Sequence, residues 1–329
     1  LLELLKFEII QRYIMKRQKI ALVLLAAMLL TGCQAGGKKA QEDLFEKGIN
    51  QVSKADYKSA VKTFDKALKD ATSVSAREED ISTYKSAAQY LSGDTKGAIK
   101  TATNLIKFDP KNPDYYYLRG SFYVDSSDYD KANKDFVKAL KLNNNDYKMC
   151  FNIYENLKAH DYKGNSERYL DKVLALDSTK GEILNAKGEA FLYKGDTKNA
   201  LESFENAISA GFNYGYLGKS KCYALDNDKK RASQEILKFA DKEKDSAEKF
   251  NKAAESLMQL GNYKDALKSV ERGLEISKNS NAQDLQKNQI ICLEFLGQFD
   301  KAKSKAKVYV KNYPGDTGML REWKILKTR

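Results

Sequence analysis

Apolar and small positions in this chain return at helical spacing. In ADYKSA (55–60), SDYDKA (127–132) and GDTKNA (195–200) a polar turn leads into an alanine, and a phenylalanine follows four residues later. The pairs are Ala60–Phe64, Ala132–Phe136 and Ala200–Phe204, and residues four apart share one face of a helix. The same turn recurs as GDTKGA (93–98), GNYKDA (261–266) and GQFDKA (297–302), at intervals of 38, 34, 68, 66 and 36 residues. The two double intervals hold degenerate copies, near Asp161–Ser166 and Asn227–Ala232. The pattern predicts about eight helical hairpins of roughly 34 residues between Gln41 and Asp316. A last helix is expected over 317–329, where Met319, Leu320, Trp323 and Leu326 form an apolar stripe and Arg321, Lys324 and Lys327 face outward. One segment breaks the periodicity: an uncharged apolar run from Ile20 to Leu30.

The hairpin unit resembles the tetratricopeptide repeat, a helix-turn-helix of about 34 residues. Residues 113–145 show it most clearly, with Tyr116, Gly120 and Tyr123 at first-helix signature positions and Ala132, Phe136 and Ala139 at those of the second. Gly48, Ala60, Phe64 and Ala67 repeat the pattern, as do Gly188, Phe191, Ala200, Phe204 and Ala207. The fourth copy departs most, with Cys150, Tyr154 and Ser166 at signature positions. The resemblance implies an all-α, right-handed superhelical solenoid with residues 317–329 as its C-terminal cap. It also implies a concave groove lined by first helices that takes a protein or peptide ligand. Carried over copy by copy, the groove residues are Phe45, Tyr90, Tyr117, Phe151, Glu155, Glu189, Tyr193, Tyr214, Glu255 and Phe295. The family's chaperone-tail clamp of Lys, Asn and Arg is not reproduced: its places hold Phe45, Ile49, Thr83, Ala87, Tyr117 and Ser121.

The apolar run belongs to a leader. A basic stretch, Met15–Lys19, precedes it, and Leu30-Thr31-Gly32-Cys33 follows. A basic n-region, a short h-region and small residues at the cut describe a secretory signal. Eleven residues at ~1.5 Å each cover only about half of a ~30 Å hydrocarbon core. The last four residues resemble the bacterial lipobox, which implies a diacylglyceryl group on Cys33 and cleavage before it. Residues 1–14 are read as lying upstream of the true start at Met15, 15–32 as signal peptide, 33–40 as lipidated cysteine and tether, and 41–316 as solenoid. The expected location is the extracytoplasmic side of a cell membrane, or the outer membrane in a Gram-negative host.

Composition narrows the chemistry. Three prolines in 329 residues favour helix. The net charge of +12 is spread along the chain, so no nucleic-acid partner is expected. A lysine face on one second helix, Lys131, Lys134, Lys138 and Lys141, leaves an anionic envelope polymer as a second ligand class. Beyond Cys33 there are three cysteines, Cys150, Cys222 and Cys292, without metal or disulfide spacing. They are read as core fillers, and no metal or cofactor is expected apart from the covalent lipid. The single histidine, His160, falls in an inter-helix turn and is expected to be exposed. No nucleotide-binding or zinc-protease motif occurs. The sequence therefore points to a non-enzymatic adaptor in envelope assembly or secretion, with a wall-polymer-binding lipoprotein or an accessory subunit of an envelope enzyme as alternatives.

Overall fold

The computed structural model describes residues 35–69, 75–144, 146–160, 162–277 and 282–328. The upstream segment 1–14, the signal peptide 15–32 and Cys33 lie outside them. The described residues form 17 helices and no strand. Two compact units divide the chain at residues 172 and 173.

The first unit holds α1 (Ala35–Ser53), α2 (Tyr57–Leu68), α3 (Ala76–Leu91), α4 (Thr95–Phe108), α5 (Pro113–Asp125), α6 (Tyr129–Leu142) and α7 (Tyr147–Ala159), and ends within α8 (Lys163–Leu174). The second holds α9 (Gly181–Tyr193), α10 (Thr197–Ser209), α11 (Tyr214–Leu225), α12 (Lys229–Lys242), α13 (Ala247–Gln259), α14 (Tyr263–Ser277), α15 (Gln283–Phe295), α16 (Phe299–Asn312) and α17 (Thr317–Leu326). Odd-numbered helices up to α15 open a hairpin and even-numbered ones close it. First helices also touch the next first helix: α1 with α3, α5 with α7, α9 with α11, and α13 with α15. The expected all-α hairpin solenoid is therefore present, including both degenerate copies. One boundary moves. Residues 35–40, read from sequence as tether, are the opening turns of α1.

The turns explain why the chain reverses where it does. Seven of the eight first helices are followed by a residue with positive φ: Ala55, Gly93, Ser127, Gly195, Asn227, Gly261 and Gly297. This conformation satisfies the last carbonyls of the helix and suits glycine because it has no Cβ. The next residue caps the second helix. Asp56, Asp94, Asp128, Asp196 and Asp228 each accept a hydrogen bond from the backbone N–H three residues on. Asn262 does the same for α14. In the fourth hairpin Tyr162 takes the acid's place, its N–H donating to the Leu157 carbonyl as Asp128 N–H donates to Tyr123.

Packing follows side-chain size. A Cβ added to Gly120 would lie 2.6 Å from the Phe136 ring, and one on Gly188 would lie 2.5 Å from Phe204. Gly48 faces Phe64 in the same way. All three rings are fully buried. Where the first helix carries the bulk instead, as at Ile290, the second answers with Ala306 in the same core cluster. In these four hairpins one large side chain meets a small one at the crossing, a condition for close packing; the second hairpin has Ser86 and Ala102 there and the fourth Tyr154 and Leu170. At the end of the second unit, α17 buries Met319 and Leu326 and packs Trp323 against the core cluster that they share with α15 and α16. Arg321, Lys324 and Lys327 are exposed. This matches the expected stripe.

Candidate functional site

The residues expected in the groove separate by chemistry. Phe45, Tyr117 and Phe151 are 5%, 6% and 9% exposed. Phe45 packs 6.3 Å from Phe64 and edge-on to Tyr84; Tyr117 lies 6.0 Å from Phe136; Phe151 meets Tyr147 edge-on. These three are core between helices, which corrects their assignment to a ligand-facing surface. Burying a large ring stabilises by about 2–3 kcal/mol, enough to turn it inward. Tyr90 is half-buried, its ring 5.0 Å from Phe122 and its hydroxyl donating to Asp125 at 3.1 Å.

The surface survivors lie mostly in the second unit. Tyr193 is 41% and Phe295 65% exposed, and Phe295 stacks on Tyr263 with centroids 4.1 Å apart. Glu189 pairs with Lys221 of the next first helix at 3.3 Å. Tyr214 is half-buried against Phe239 and accepts a hydrogen bond from Lys249 of α13 at 2.6 Å. Glu255 accepts from the amide of Asn251, which in turn accepts from Asn288 of α15 at 2.9 Å. Glu155, half-buried on α7, belongs to the first unit.

These contacts form a polar ladder along the first helices of the second unit, from Glu189–Lys221 through Tyr214–Lys249 to Asn251–Asn288. Lys287 continues it to Asp316 at 3.3 Å. Each rung joins residues about one repeat apart, so the ladder exists only once hairpins stack. Its amides and carboxylates are partly exposed, with hydrogen-bonding capacity left for a ligand. Asn251 and Asn288 were missed in sequence because asparagine is no signature residue. The signal present was their recurrence on first helices, 37 residues apart.

Other chemistry is structural. His160 is not the exposed turn residue expected. Its ring is 15% exposed, with Nδ1 2.9 Å from the Asn156 carbonyl oxygen and Nε2 3.6 Å from Asp125. Arg119 makes a bidentate pair with buried Asp135, both bonds 2.7 Å, and this pair holds its guanidinium pKa up despite burial. Lys219 and Glu235 stand at the corresponding places of the sixth hairpin, 4.0 Å apart. Burial pushes the thiols of Cys150, Cys222 and Cys292 up to about 11, so they are poor nucleophiles near neutrality. Among the described residues no group of three His, Cys, Asp or Glu side chains is placed to hold a metal, and no helix is long and apolar enough to cross a membrane. A shallow hollow of about 460 Å³ lies between α12 and the α13–α14 turn, lined by Lys229, Lys230, Leu237 and Leu260 among others. Ser233, Gln234, Asn262 and Asp265 contribute to its mixed lining.

The family profile described as "Tetratricopeptide repeat" matches residues 113–146 and 181–210. A TPR repeat-containing protein of Methanocaldococcus jannaschii is 26% identical over 207 residues, and the match spans 51% of this chain and 36% of that protein's length. Among solved structures, a tetratricopeptide repeat protein from Parabacteroides merdae ATCC 43184 is 17% identical with a TM-score of 0.39, covering 78% of this chain and 99% of that one. PilW, described as a widely conserved type IV pilus biogenesis factor, is 16% identical with a TM-score of 0.36, covering 75% and 99%. Residues 113–146 and 181–210 are thus similar to tetratricopeptide repeats, and the chain spans about a third of the length of the archaeal protein it matches.

Proposed function

We propose that this protein is a lipid-anchored, extracytoplasmic adaptor that docks a protein partner on the first helices of its repeats during envelope assembly or secretion. Repeats of this family generally mediate protein–protein contact and are generally non-catalytic. The observation that carries the reading is the half-exposed polar ladder, Glu189–Lys221, Tyr214–Lys249 and Asn251–Asn288. It presents donors and acceptors at repeat intervals above a buried apolar core, an arrangement that suits an extended peptide with its own regularly spaced polar groups. Exposed Tyr193 and Phe295 supply apolar contact beside it.

The anchor rests on the leader and the Leu30–Cys33 motif. A diacylated cysteine carries two chains, which hold a protein on a membrane where a single chain does so only marginally. Only Gln34 separates Cys33 from the first helical residue, Ala35. Residues 35–40 in helix advance about 9 Å, against about 21 Å if extended, so lipidation would station the first hairpin close to the bilayer. Membrane fractionation of wild type and Cys33→Ser tests this half. The wild type is expected in the membrane fraction and the variant in the soluble one; a membrane-bound variant would refute the anchor. Asn251→Ala with Asn288→Ala tests the docking half, by loss of a crosslinked partner that wild type retains.

A further inference from the structure

Two junctions between successive hairpins are closed at the turn edge by stacked rings. Tyr129, the first residue of α6, lies flat on Tyr162 of the following turn, with centroids 4.0 Å apart and planes within 6°. Tyr263, the first residue of α14, lies on Phe295 of the following first helix at 4.1 Å and 2°. Helix α12 opens on Lys229 at the same place. Among the described residues no aromatic side chain lines its junction with the seventh hairpin, and the hollow of about 460 Å³ stands there.

The floor of that hollow is unusual for this chain. Leu237 and Leu260 form it, both half-buried at the edge of the second unit's core. Leu237 stands five residues after the signature Ala232 of α12, and Leu260 six before Ala266 of α14. At every other junction at least one of these two places is polar or charged: Thr103 and Ser126 after the second hairpin, Glu205 and Asp226 after the fifth. The walls are polar. Asn262 donates to Ser233 at 3.2 Å, tying the turn to α12, and a Cβ added to Gly261 would meet nothing within 4 Å. Lys229 and Lys230 stand exposed on the α12 side with no ion pair among the described residues. The acids beside them are taken, Asp228 by Arg231 at 2.5 Å and Asp265 by Lys268 at 3.1 Å. Unpaired lysines occur on other second helices; here two of them rim a concave apolar floor. Such a floor with a few polar groups around it, in a volume of roughly 300–1,000 Å³, is the usual build of a binding site.

We infer that this hollow receives one aromatic side chain of a partner protein, flanked in the partner's sequence by Asp or Glu. The ring lies over Leu237 and Leu260, beside the place that Tyr129 and Tyr263 fill from within the chain at the other two junctions. An aromatic ring brings the largest apolar contact per side chain. The flanking carboxylates meet Lys229 and Lys230, which repel a basic segment. A ligand held by the lysines alone would leave the leucine floor in water. The site is on the second-helix side, apart from the first-helix ladder.

The test titrates the purified full chain, by ligand-observed NMR, with the blocked pentapeptide acetyl-Glu-Asp-Trp-Asp-Glu-amide. Saturable binding is expected, and replacing the peptide's Trp with Ala should weaken it at least about ten-fold. Lys229→Tyr, designed to fill the hollow with the chain's own ring, should weaken it as much. Thr197→Tyr one junction earlier, and Asn251→Ala/Asn288→Ala on the ladder, should each change it less than about two-fold. Lys229→Gln/Lys230→Gln should weaken it about three- to ten-fold at low salt and little at ~0.5 M, because exposed charges are screened. Circular dichroism checks that every variant folds. Wild-type affinity in Lys229→Tyr would overturn the inference, as would a wild type that binds no peptide, or binds acetyl-Lys-Lys-Trp-Lys-Lys-amide equally well. Self-association of the chain, or binding to phosphatidylglycerol vesicles, that is lost in Lys229→Tyr while the acidic peptide fails to compete would assign the hollow to another occupant and overturn it too.

Discussion

Phe204 is enclosed by glycines of two first helices in the second unit. Its fully buried ring lies where Gly188 of α9 and Gly218 of α11 approach, and a Cβ on either glycine would meet the same three ring atoms. Gly218→Ala therefore sets two effects against each other. Replacing glycine inside a helix with alanine ordinarily stabilises by about 1 kcal/mol. Forcing a methyl into a full core costs about 1–3 kcal/mol, and the upper end applies because Gly188 already presses on that ring edge. The net expectation is a loss of about 2 kcal/mol. With a urea slope of about 2 kcal/mol/M, the unfolding midpoint falls by roughly 1 M. Far-UV circular dichroism of the purified chain reads it. Phe204→Leu should relieve the contact, so that the double variant is more stable than the two single losses predict, by about 1 kcal/mol or more. Gly318→Ala is the control, since its added Cβ meets nothing closer than 3.4 Å. If Gly218→Ala proves as stable as wild type, or more so, the size-matched crossing is not what packs these hairpins.

Ala55 holds φ at 59°, a conformation that costs a residue with a Cβ about 1 kcal/mol, so Ala55→Gly should raise stability by about 0.5 kcal/mol in urea unfolding despite the freer unfolded chain. Arg119→Ala leaves Asp135 buried without its partner and should cost about 3 kcal/mol, whereas replacing both with apolar residues of similar size should recover most of that; a small loss in the single variant would mean water reaches the carboxylate. Burial alone would raise the Glu78 pKa, but hydrogen bonds from Ser75, Gln41 and the backbone hold it down to about 2. Its contribution is thus complete above the free value of 4.5 and is lost as pH falls toward 2. Glu78→Gln should flatten that limb of a urea-midpoint profile recorded between pH 6 and 2.

The fold was legible because its determinants are local. A positive-φ residue, a capping acid and an alanine four residues later lie within six positions, and chain order alone stacks the hairpins. Even the fourth hairpin, where Tyr162 replaces the acid, kept its spacing. The site was less legible because it depends on which side chains a given place carries. Phe45, Tyr117, Phe151 and Asn251 each stand eleven residues before the residue that leads into the second helix, Asp56, Asp128, Tyr162 and Asn262. At that place an aromatic ring gains more by folding onto the second helix, and an amide stays at the surface. Position was readable from the repeat; inward or outward orientation was settled by side-chain chemistry. The Arg119–Asp135 pair sits eight residues on either side of Ser127, at polar places that no apolar pattern marks.

The central claim is that the first-helix ladder docks a partner at a membrane. Its most direct measurement is quantitative crosslinking in intact cells of wild type, of Tyr193→Ala/Asn251→Ala/Asn288→Ala on first helices, and of Lys62→Ala/Lys198→Ala/Lys264→Ala on second helices, all at equal membrane levels. The account predicts that a protein crosslinked to wild type is retained by the second-helix variant and lost at least about ten-fold from the ladder variant, roughly 1.4 kcal/mol of binding. The same partner captured equally by all three would contradict it.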